Sequence, residues 1–295
     1  MVRRIQKIQK MHKTKTSAET SAKFRYDGKT VEFRGPDKND HILGVMRRTG
    51  TFYERDVLER LKERIRKRGR QGAAVDAGAF IGTHSTYFAQ FCGCAPVVSF
   101  EPNPATFPIL LENLRLNDLE KAVVPINKAL GAHIGRAGVH PGEAGNRGTA
   151  TISFDAQSDT VEVSTLDREV QRVMPTSPSV ALIKIDVEGA ELDVLEGSLS
   201  TIDKHTPVLC VEIHTARNLR KVLSILGRNP YWIIDCRGYS PTYILEVTNS
   251  LLPRRYIVNS LWLARAALPL AWLKIRWYLA RTAQLLSVGK WDPPA

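Results

Sequence analysis

The sequence of 295 residues lacks the sequence features of several classes of protein. None of its four cysteines (Cys92, Cys94, Cys210 and Cys236) forms a CxxC pair, and no histidine spacing resembles a zinc module. No run of about 18 uncharged apolar residues occurs, so no clean transmembrane helix is expected. The charged N-terminus lacks the apolar stretch of a secretory signal peptide. The sequence therefore predicts reduced, structural thiols and a cytoplasmic protein.

Positive charge is plentiful but unevenly distributed. The net charge is +12, yet residues 1–16 and 251–290 carry six and seven basic residues without an acid, and residues 55–70 carry eight basic and three acidic ones. The rest of the chain is therefore mildly acidic. Residues 1–22 are also poor in apolar residues, which predicts a disordered basic arm.

Apolar periodicity organises the rest of the chain. Residues 24–33 alternate around Asp27–Gly28, which predicts a β-hairpin, and residues 52–67 have apolar positions at helical spacing. Further strands are predicted at 73–77, 97–100, 123–126, 180–185 and 208–213, and helices at 83–91, 105–117, 190–199 and 216–226. Strands that alternate with helices in this way predict an α/β fold with a doubly wound, mostly parallel sheet.

The predicted organisation has three parts. They are the arm of residues 1–22, a main domain of residues 23–265 with the hairpin and first helix in 23–70 and the core in 71–265, and an extension of residues 266–295. Within the core, residues 131–159 are glycine-rich and predicted to be an insertion of loops and short antiparallel strands. Residues 257–263 are predicted to form a late edge strand.

Polar residues or glycines lie at or just beyond the carboxyl end of every predicted strand of the sheet, although the strands are mostly apolar. They are Asp76, Gly78 and Gly82 after the first strand, Glu101 and Asn103 after the second, Asn127 after the third, Asp186 and Glu188 after the fourth, and Glu212 and His214 after the fifth. Ligands of open α/β sheets bind beyond the carboxyl ends of the strands. The sequence therefore predicts a binding or active site where these groups meet.

The first two strand ends have the layout of a nucleoside site. Glycines let the backbone approach a ligand closely, and Glu101, 25 residues beyond Asp76, suits ribose hydroxyls. The G-x-G-x-x-G motif of dinucleotide sites is absent, because Phe80 and Thr83 stand where it needs glycine, and G-x-x-x-x-G-K-[ST] does not occur. A nucleoside without a pyrophosphate therefore fits better than NAD or a nucleoside triphosphate.

Five segments of the chain together resemble a known family. DAGAFIGTHS, VVSFEPNPATFPILLENLRLN, NKALG, STLD and LIKIDVEGAELDVLEG, in this order within residues 52–214, resemble the FkbM-type S-adenosylmethionine-dependent methyltransferases. Phe80 stands where the family usually has asparagine. The resemblance implies a class I methyltransferase fold and an enzyme that uses S-adenosylmethionine to methylate a hydroxyl of a sugar or small metabolite.

The resemblance also implies a set of cofactor-binding residues. They are Asp76, Gly78, Gly82, Glu101, Asn103 and Asn127. Asp76 and the two glycines would shape the methionine side of the pocket, Glu101 would hold the ribose, and the two asparagines would lie near the adenosine. Plainer interpretations exist for Asp76, as a helix N-cap, and for Asn103, as a turn former.

His214, Asp186 and Glu188 are the candidate catalytic residues. Methyl transfer needs an aligned acceptor and removal of its proton, and histidine is the best base by type. Asp186 and Glu188 could orient the acceptor or, with Glu212, hold a hard divalent cation such as Mg²⁺. The alternatives are a core or capping histidine, and acids that cap the next helix. Lys184 either neutralises one of these carboxylates or merely interrupts an apolar strand.

The C-terminal stretch of residues 261–286 allows two interpretations. Trp262, Trp272 and Trp277 lie among basic residues, as in a helix at an anionic membrane surface, or the segment packs on the domain. Nucleic-acid binding ranks lower, because the aromatic residues do not interleave with the basic N-terminal arm. The alternative to an enzyme is a non-catalytic nucleoside- or membrane-binding module, which would have no need of His214 or Asp186.

Overall fold

The computed structural model describes most of the chain between residues 20 and 266. The described residues are 20–69, 72–140, 151–153, 160–175, 179–238, 240–247, 259, 260, 262, 263 and 266. The predicted arm of residues 1–22 and the extension of residues 266–295 lie almost wholly outside these ranges, so the membrane contact stays a prediction. Within the described part of the chain, no helix is long and apolar enough to cross a bilayer.

Strands and helices alternate along the chain. The strands are β1 (Ser21–Tyr26), β2 (Lys29–Arg34), β3 (Ala73–Ala77), β4 (Val97–Phe100), β5 (Val123–Ile126), β6 (Ala129–Leu130), β7 (Gly135–His140), β8 (Thr151–Ser153), β9 (Thr160–Ser164), β10 (Val180–Ile185), β11 (Val208–Glu212), β12 (Tyr231–Arg237) and β13 (Thr242–Val247). The helices are α1 (His41–Thr49), α2 (Arg55–Arg68), α3 (Thr83–Phe91), α4 (Phe107–Leu116), α5 (Leu166–Val173), α6 (Glu191–Glu196), α7 (Leu199–His205) and α8 (Ala216–Ile225). The predicted helix of residues 190–199 corresponds to α6, and Leu199 already begins the separate helix α7.

The predicted hairpin is confirmed. Strands β1 and β2 pair in antiparallel register. Asp27 and Gly28 between them have positive φ angles of 45° and 79°, as a two-residue turn that matches the twist of a hairpin requires.

Seven strands form the central sheet, in the order β12-β13-β11-β10-β3-β4-β5. The strands from β11 to β5 are parallel, and β13 runs antiparallel to both of its neighbours. From β3 the chain moves outward to β4 and β5, and it then returns to β10 on the other side of β3. The switch point, where ligands bind in open α/β sheets, therefore lies between β3 and β10. The predicted doubly wound, mostly parallel sheet is confirmed.

The prediction of a late edge strand at residues 257–263 is wrong. Residues 259, 260, 262 and 263 are helical, and the last strands of the sheet are β12 and β13. A short apolar run suits a strand and a buried helix equally well. Here Trp262 packs edge-on against Tyr243 of β13, with ring centroids 6.3 Å apart, so this tryptophan covers the sheet.

A smaller sheet occupies the insertion between β5 and β10. Its order is β6-β9-β7-β8, and β7 pairs antiparallel with both β8 and β9. The predicted short antiparallel strands are therefore confirmed, while residues 141–150 and 154–159 of the insertion lie outside the described ranges.

Apolar clusters cover both faces of the central sheet. The hairpin and helices α1 to α4 pack on one face, and α5 to α8 on the other. Phe52 is the centre of the first cluster, because its ring contacts five others at centroid distances of 5.1–5.8 Å. Such edge-on pairs add to the burial of the rings, and they fix the backbone that leads into α2.

Two asparagines attach the hairpin to the domain. Asn113 lies in α4, and Asn117 directly follows that helix. Asn113 is fully buried; its Oδ1 accepts a hydrogen bond from Arg34 N at 2.7 Å, and its Nδ2 donates to the carbonyls of Arg34 and Ile81 at 2.9 and 2.8 Å. Asn117, one turn later, makes the same pair of bonds to the backbone of Glu32. The two amides therefore pair with the edge of β2 as a neighbouring strand would.

Replacing Asn113 by alanine should destabilise the fold strongly, because one buried and two partly buried backbone groups lose their partners at once. We expect the free energy of unfolding to fall by about 2–4 kcal/mol, as buried unsatisfied groups cost about 1–3 kcal/mol each before relaxation. Urea denaturation measures the change. Arg115→Ala, on the exposed face of the same helix, is the control and should shift it by about 0.5 kcal/mol or less. Equal losses in the two variants would contradict this role of Asn113.

Candidate active site

The turn after β3 is built for close backbone packing. Gly78 has a φ of +80°, and a Cβ placed on it would lie 1.8 Å from the carbonyl oxygen of Asp186, so only glycine lets the ends of β3 and β10 touch. A Cβ on Gly82, with φ +84°, would lie 2.5 Å from Cδ1 of Leu110. Phe80 between them also has a positive φ, of 48°. Such a conformation costs a bulky residue about 1–3 kcal/mol and is concentrated at functional sites.

The ammonium group of Lys184 lies beneath this turn. Its Nζ is 2.9 Å from the carbonyl oxygen of Gly78, 3.2 Å from Oδ2 of Asp186 and 3.4 Å from Oδ1 of Asp76. Burial disfavours the charged form, but the two carboxylates outweigh it and raise the pKa of Lys184 above its ordinary value. Neutralisation of carboxylates, one of the two interpretations of this lysine, is therefore confirmed.

Asp76 forms part of the floor of the turn. Its side chain is fully buried, and its Oδ2 accepts a hydrogen bond from Oγ of Ser85 at 2.6 Å. The N-cap of α3 is Gly82, so the interpretation of Asp76 as that cap is wrong. Asp76 acts on the turn through its two partners, Lys184 and Ser85.

Glu101, at the end of β4, has both carboxylate oxygens engaged. Oε1 accepts a hydrogen bond from the backbone N of Asn103 and Oε2 from that of Phe80, each at 2.9 Å. Burial raises the pKa of Glu101 to about 7, although these two N–H groups favour the ionised form. Each oxygen of an ionised carboxylate keeps a further lone pair, so this rigid group can still accept hydrogen bonds from two hydroxyls.

The two predicted asparagines hold the backbone beside Glu101. Oδ1 of Asn103 accepts a hydrogen bond from Ala105 N at 2.9 Å, which is the turn-forming role that its sequence context allowed. Nδ2 of Asn127 donates to the carbonyls of Glu101 and Pro102 at 2.8 and 3.1 Å. Both amides thus serve the backbone, and a contact with adenosine stays a prediction.

Three carboxylates meet beyond the ends of β10 and β11. Asp186, Glu188 and Glu212 each offer an oxygen, and the three atoms lie within 4.8 Å of one another. Glu188 has a positive φ of 55°. The side chain of His214 is 52% exposed, and its Nε2 lies 3.2 Å from Oε2 of Glu212. The structure therefore brings together the four residues predicted at these two strand ends.

Close contact drives the three carboxyl groups to different pKa values. The charge of Lys184 outweighs burial and lowers the pKa of Asp186. Burial, and then the negative charge of Asp186, raise the pKa of Glu212 to about 9 and that of Glu188 to about 7. Near neutral pH, Asp186 is therefore ionised and Glu212 is protonated, and the two side chains share a hydrogen bond.

His84 and Glu54 are site residues that sequence analysis did not select. His84, in the first turn of α3, is 8% exposed, and Glu54 is the N-cap of α2 with a φ of 51°. Nε2 of His84 lies 3.8 Å from Oε2 of Glu54. The signal for His84 is its place directly after the glycine turn. The pattern FYERD holds none for Glu54, because an acid before a helix is ordinary on a protein surface.

The carboxyl edge of the sheet thus carries two kinds of group. Beside β4 it holds a rigid carboxylate suited to hydroxyls, and beside β10 and β11 it holds an ionised carboxylate, a protonated carboxyl and an exposed histidine. Such a set can orient a hydroxyl group and accept its proton.

Comparison with known proteins agrees with this geometry. The family model of the Methyltransferase FkbM domain matches residues 76–236, more than half of the chain. Hexuronic acid methyltransferase AglP of Haloferax volcanii is 32% identical over 177 residues, which are 59% of this chain and 68% of that protein. Methyltransferase sdnD of Sordaria araneosa is 32% identical over 152 residues, 42% of this chain and 59% of that protein.

A solved structure is similar as well. The crystal structure of an FkbM methyltransferase from Methylobacillus flagellatus KT is 22% identical, with a TM-score of 0.45, and the match covers 60% of this chain and 43% of that one. The assignment here rests on the family model and on the relative from Haloferax volcanii. The chain belongs to the FkbM family of S-adenosylmethionine-dependent methyltransferases.

Proposed function

We propose that this methyltransferase transfers the methyl group of S-adenosylmethionine to a hydroxyl of a sugar or another small metabolite. The observation that carries the proposal is the cluster of Asp186, Glu188, Glu212 and His214 beside the glycine turn. Its groups accept hydrogen bonds and protons, as an acceptor hydroxyl requires. The name of the relative from Haloferax volcanii, a hexuronic acid methyltransferase, supports a sugar acceptor.

The residues around the turn fit the cofactor. Glu101 would hold the ribose hydroxyls, the turn from Gly78 to Gly82 would lie along the methionine part, and Asn103 and Asn127 would border the adenosine. When bound, the cofactor supplies a methyl group on a sulfonium sulfur. Among the described residues, Nε2 of a histidine in the first turn of α3, directly after the glycine turn, is buried without a hydrogen-bond partner, and such atoms point to a missing polar ligand.

His214 would remove the proton of the acceptor hydroxyl. Its exposure lets it reach an acceptor, and its Nε2 lies 3.2 Å from Oε2 of Glu212. Asp186, ionised near neutral pH, would accept a hydrogen bond from the same hydroxyl and hold it in place. Alignment can supply much of the reduction in the barrier, and a general base contributes about 10²–10⁴-fold.

The same fold could also serve a non-catalytic binding module. Such a protein would need the glycine turn and Glu101, but it would have no use for a histidine beside three acids. Activity in the presence of an acceptor therefore separates the two functions.

We also propose that residues 23–265 form the methyltransferase domain. The family model covers residues 76–236 of it. The hairpin and helices α1 and α2 pack into the core cluster on one face of the central sheet, and Trp262 packs into the cluster on the other.

Cofactor affinity should depend on the ionisation of Glu101. The ionised carboxylate is the better acceptor for ribose hydroxyls, so affinity for S-adenosylhomocysteine should fall as pH is lowered through about 7, by up to about tenfold near pH 6. Glu101→Gln should bind about 10- to 100-fold more weakly at higher pH and lose this pH dependence. Titration calorimetry measures both effects.

The exposed acid Glu120, replaced by glutamine, is the matched control for that titration. Wild-type binding that does not change with pH would contradict the role of Glu101. Tight binding of NAD without binding of S-adenosylhomocysteine would contradict the cofactor assignment itself.

Methyl transfer should require His214 and Asp186. With S-adenosylmethionine and a panel of hexoses, hexuronic acids and lipid-linked sugars, the wild type should release S-adenosylhomocysteine and place the methyl group on an oxygen. His214→Ala should lower kcat by about 100-fold or more through loss of the base, with unchanged affinity for S-adenosylhomocysteine. Asp186→Asn should do the same.

Product analysis by mass spectrometry and binding by calorimetry provide the two readouts. Because Asp186 also pairs with Lys184, its variant is compared with the wild type in unfolding temperature. Glu196→Gln, an exposed acid of α6, is the control. Full activity of His214→Ala would remove it as the base, and methylation at nitrogen alone would contradict a hydroxyl acceptor.

We further propose that Asp186, Glu188 and Glu212 hold a divalent cation such as Mg²⁺ when the acceptor binds. Their converging oxygens suit a hard cation. Treatment with EDTA should then abolish activity and Mg²⁺ restore it, and Glu188→Gln should raise the Mg²⁺ concentration that is needed. The control variant Glu196→Gln should leave that Mg²⁺ concentration unchanged. Activity that resists EDTA would show that the acids act without a metal.

A further inference from the structure

Among the residues that the structure describes, one nitrogen of a buried histidine has no hydrogen-bond partner. His84 is 8% exposed. Its imidazole forms a hydrogen bond with the backbone of Tyr53 that favours the protonated ring, so the partner is the carbonyl oxygen, which accepts. Nε2 has no partner, and the bond to Tyr53 is therefore made by Nδ1.

These contacts define the state of the ring. In a neutral imidazole one nitrogen donates and the other accepts. Burial and the ammonium of Lys184 lower the pKa of His84 to about 4, so the ring is neutral at physiological pH with its proton on Nδ1. Nε2 is thus a buried acceptor with an unused lone pair, which native proteins rarely leave unsatisfied.

Three carboxylates and one ammonium lie around the ring, and the ammonium of Lys184 has the largest electrostatic effect on it. Oε2 of Glu54 lies 3.8 Å from Nε2, too far for a direct hydrogen bond, and Glu54 has other interactions of its own. The carboxylates of Asp186 and Asp76 also act on the ring electrostatically. A group that enters beside Nε2 must therefore donate a hydrogen bond, and the carboxylate of Glu54 would stabilise a positive charge on it.

We infer that His84, with Glu54, binds the α-ammonium group of the methionine part of S-adenosylmethionine. The inference rests on the proposed function, since it assigns a ligand atom of that cofactor. An ammonium brings three donors and a positive charge, whereas a carboxylate brings neither. His84 also follows directly on the turn from Gly78 to Gly82, along which the methionine part is placed.

Two substitutions separate the roles of the two ring nitrogens. His84→Asn keeps a donor near the position of Nδ1 and removes the acceptor at Nε2. His84→Gln keeps an acceptor near the position of Nε2 and loses the donor to Tyr53. Calorimetry compares each variant for two probes, S-adenosylhomocysteine and an analogue in which hydrogen replaces the α-ammonium.

The wild type should prefer S-adenosylhomocysteine over this analogue by about 10- to 100-fold, the size of a charge-assisted contact. His84→Asn should lose most of that preference by weakening the first probe alone, whereas His84→Gln should keep most of it. His133→Asn, at an exposed histidine, is the control and should behave as the wild type.

Other outcomes would overturn the inference. If His84→Asn weakens both probes equally, or if His84→Gln is the more harmful variant, His84 serves the backbone of Tyr53. An unchanged preference in both variants would mean that water or the methyl acceptor occupies the place beside Nε2. If the wild type binds neither probe, the proposed function fails instead.

A second variant leaves the histidine in place. Glu54→Gln keeps the shape of the side chain and removes its charge, so it should reduce the preference for the ammonium by about tenfold. It supplies the test if the histidine variants have a lowered unfolding temperature without ligand. An unchanged preference in folded Glu54→Gln would exclude Glu54 from the contact.

Discussion

The ammonium group of Lys184 is the constraint on which the site depends. It joins the ends of β3 and β10 at the switch point of the sheet, because it contacts Asp76, Asp186 and the carbonyl of Gly78 together. Loss of one partner from a buried ion pair typically costs about 3–5 kcal/mol, since a charge is left uncompensated. This shared cation explains how acids can gather where a buried strand ends.

The same cation divides the acids into different protonation states. Asp186 touches it and is ionised, whereas buried Glu212 and half-buried Glu188 lie beside the charge of Asp186 and have raised pKa values. Two carboxyl groups thus take different roles: Asp186 is ionised and accepts hydrogen bonds, and Glu212 is protonated and can donate one. Other sites in which neighbouring groups drive pKa values apart behave in the same way. His214, at the rim of the cluster, is half exposed.

Strand ends could be predicted from the sequence, because apolar runs bounded by glycine, proline and acids determine where strands stop. A parallel sheet then places their polar residues at one edge, which is why the residues from Asp76 to His214 could be selected. His84 and Glu54 belong to helix ends, and their approach depends on tertiary packing, such as that of Phe52 among five rings. The edge strand predicted at residues 257–263 was wrong because a short apolar run suits a strand and a buried helix equally well, and here Trp262 packs against β13 from a helix.

The acids also limit what the acceptor can be. The charge of Lys184 is taken up by Asp76 and Asp186, so the cluster with Glu188 and Glu212 presents a negative potential to an incoming molecule. A neutral hydroxyl can donate to these oxygens, whereas a carboxylate on the acceptor would be repelled unless a divalent cation lay between them. The charge of the acceptor and the need for a metal are therefore linked. A site without a cation suits neutral sugars, and a site with Mg²⁺ would admit acidic ones.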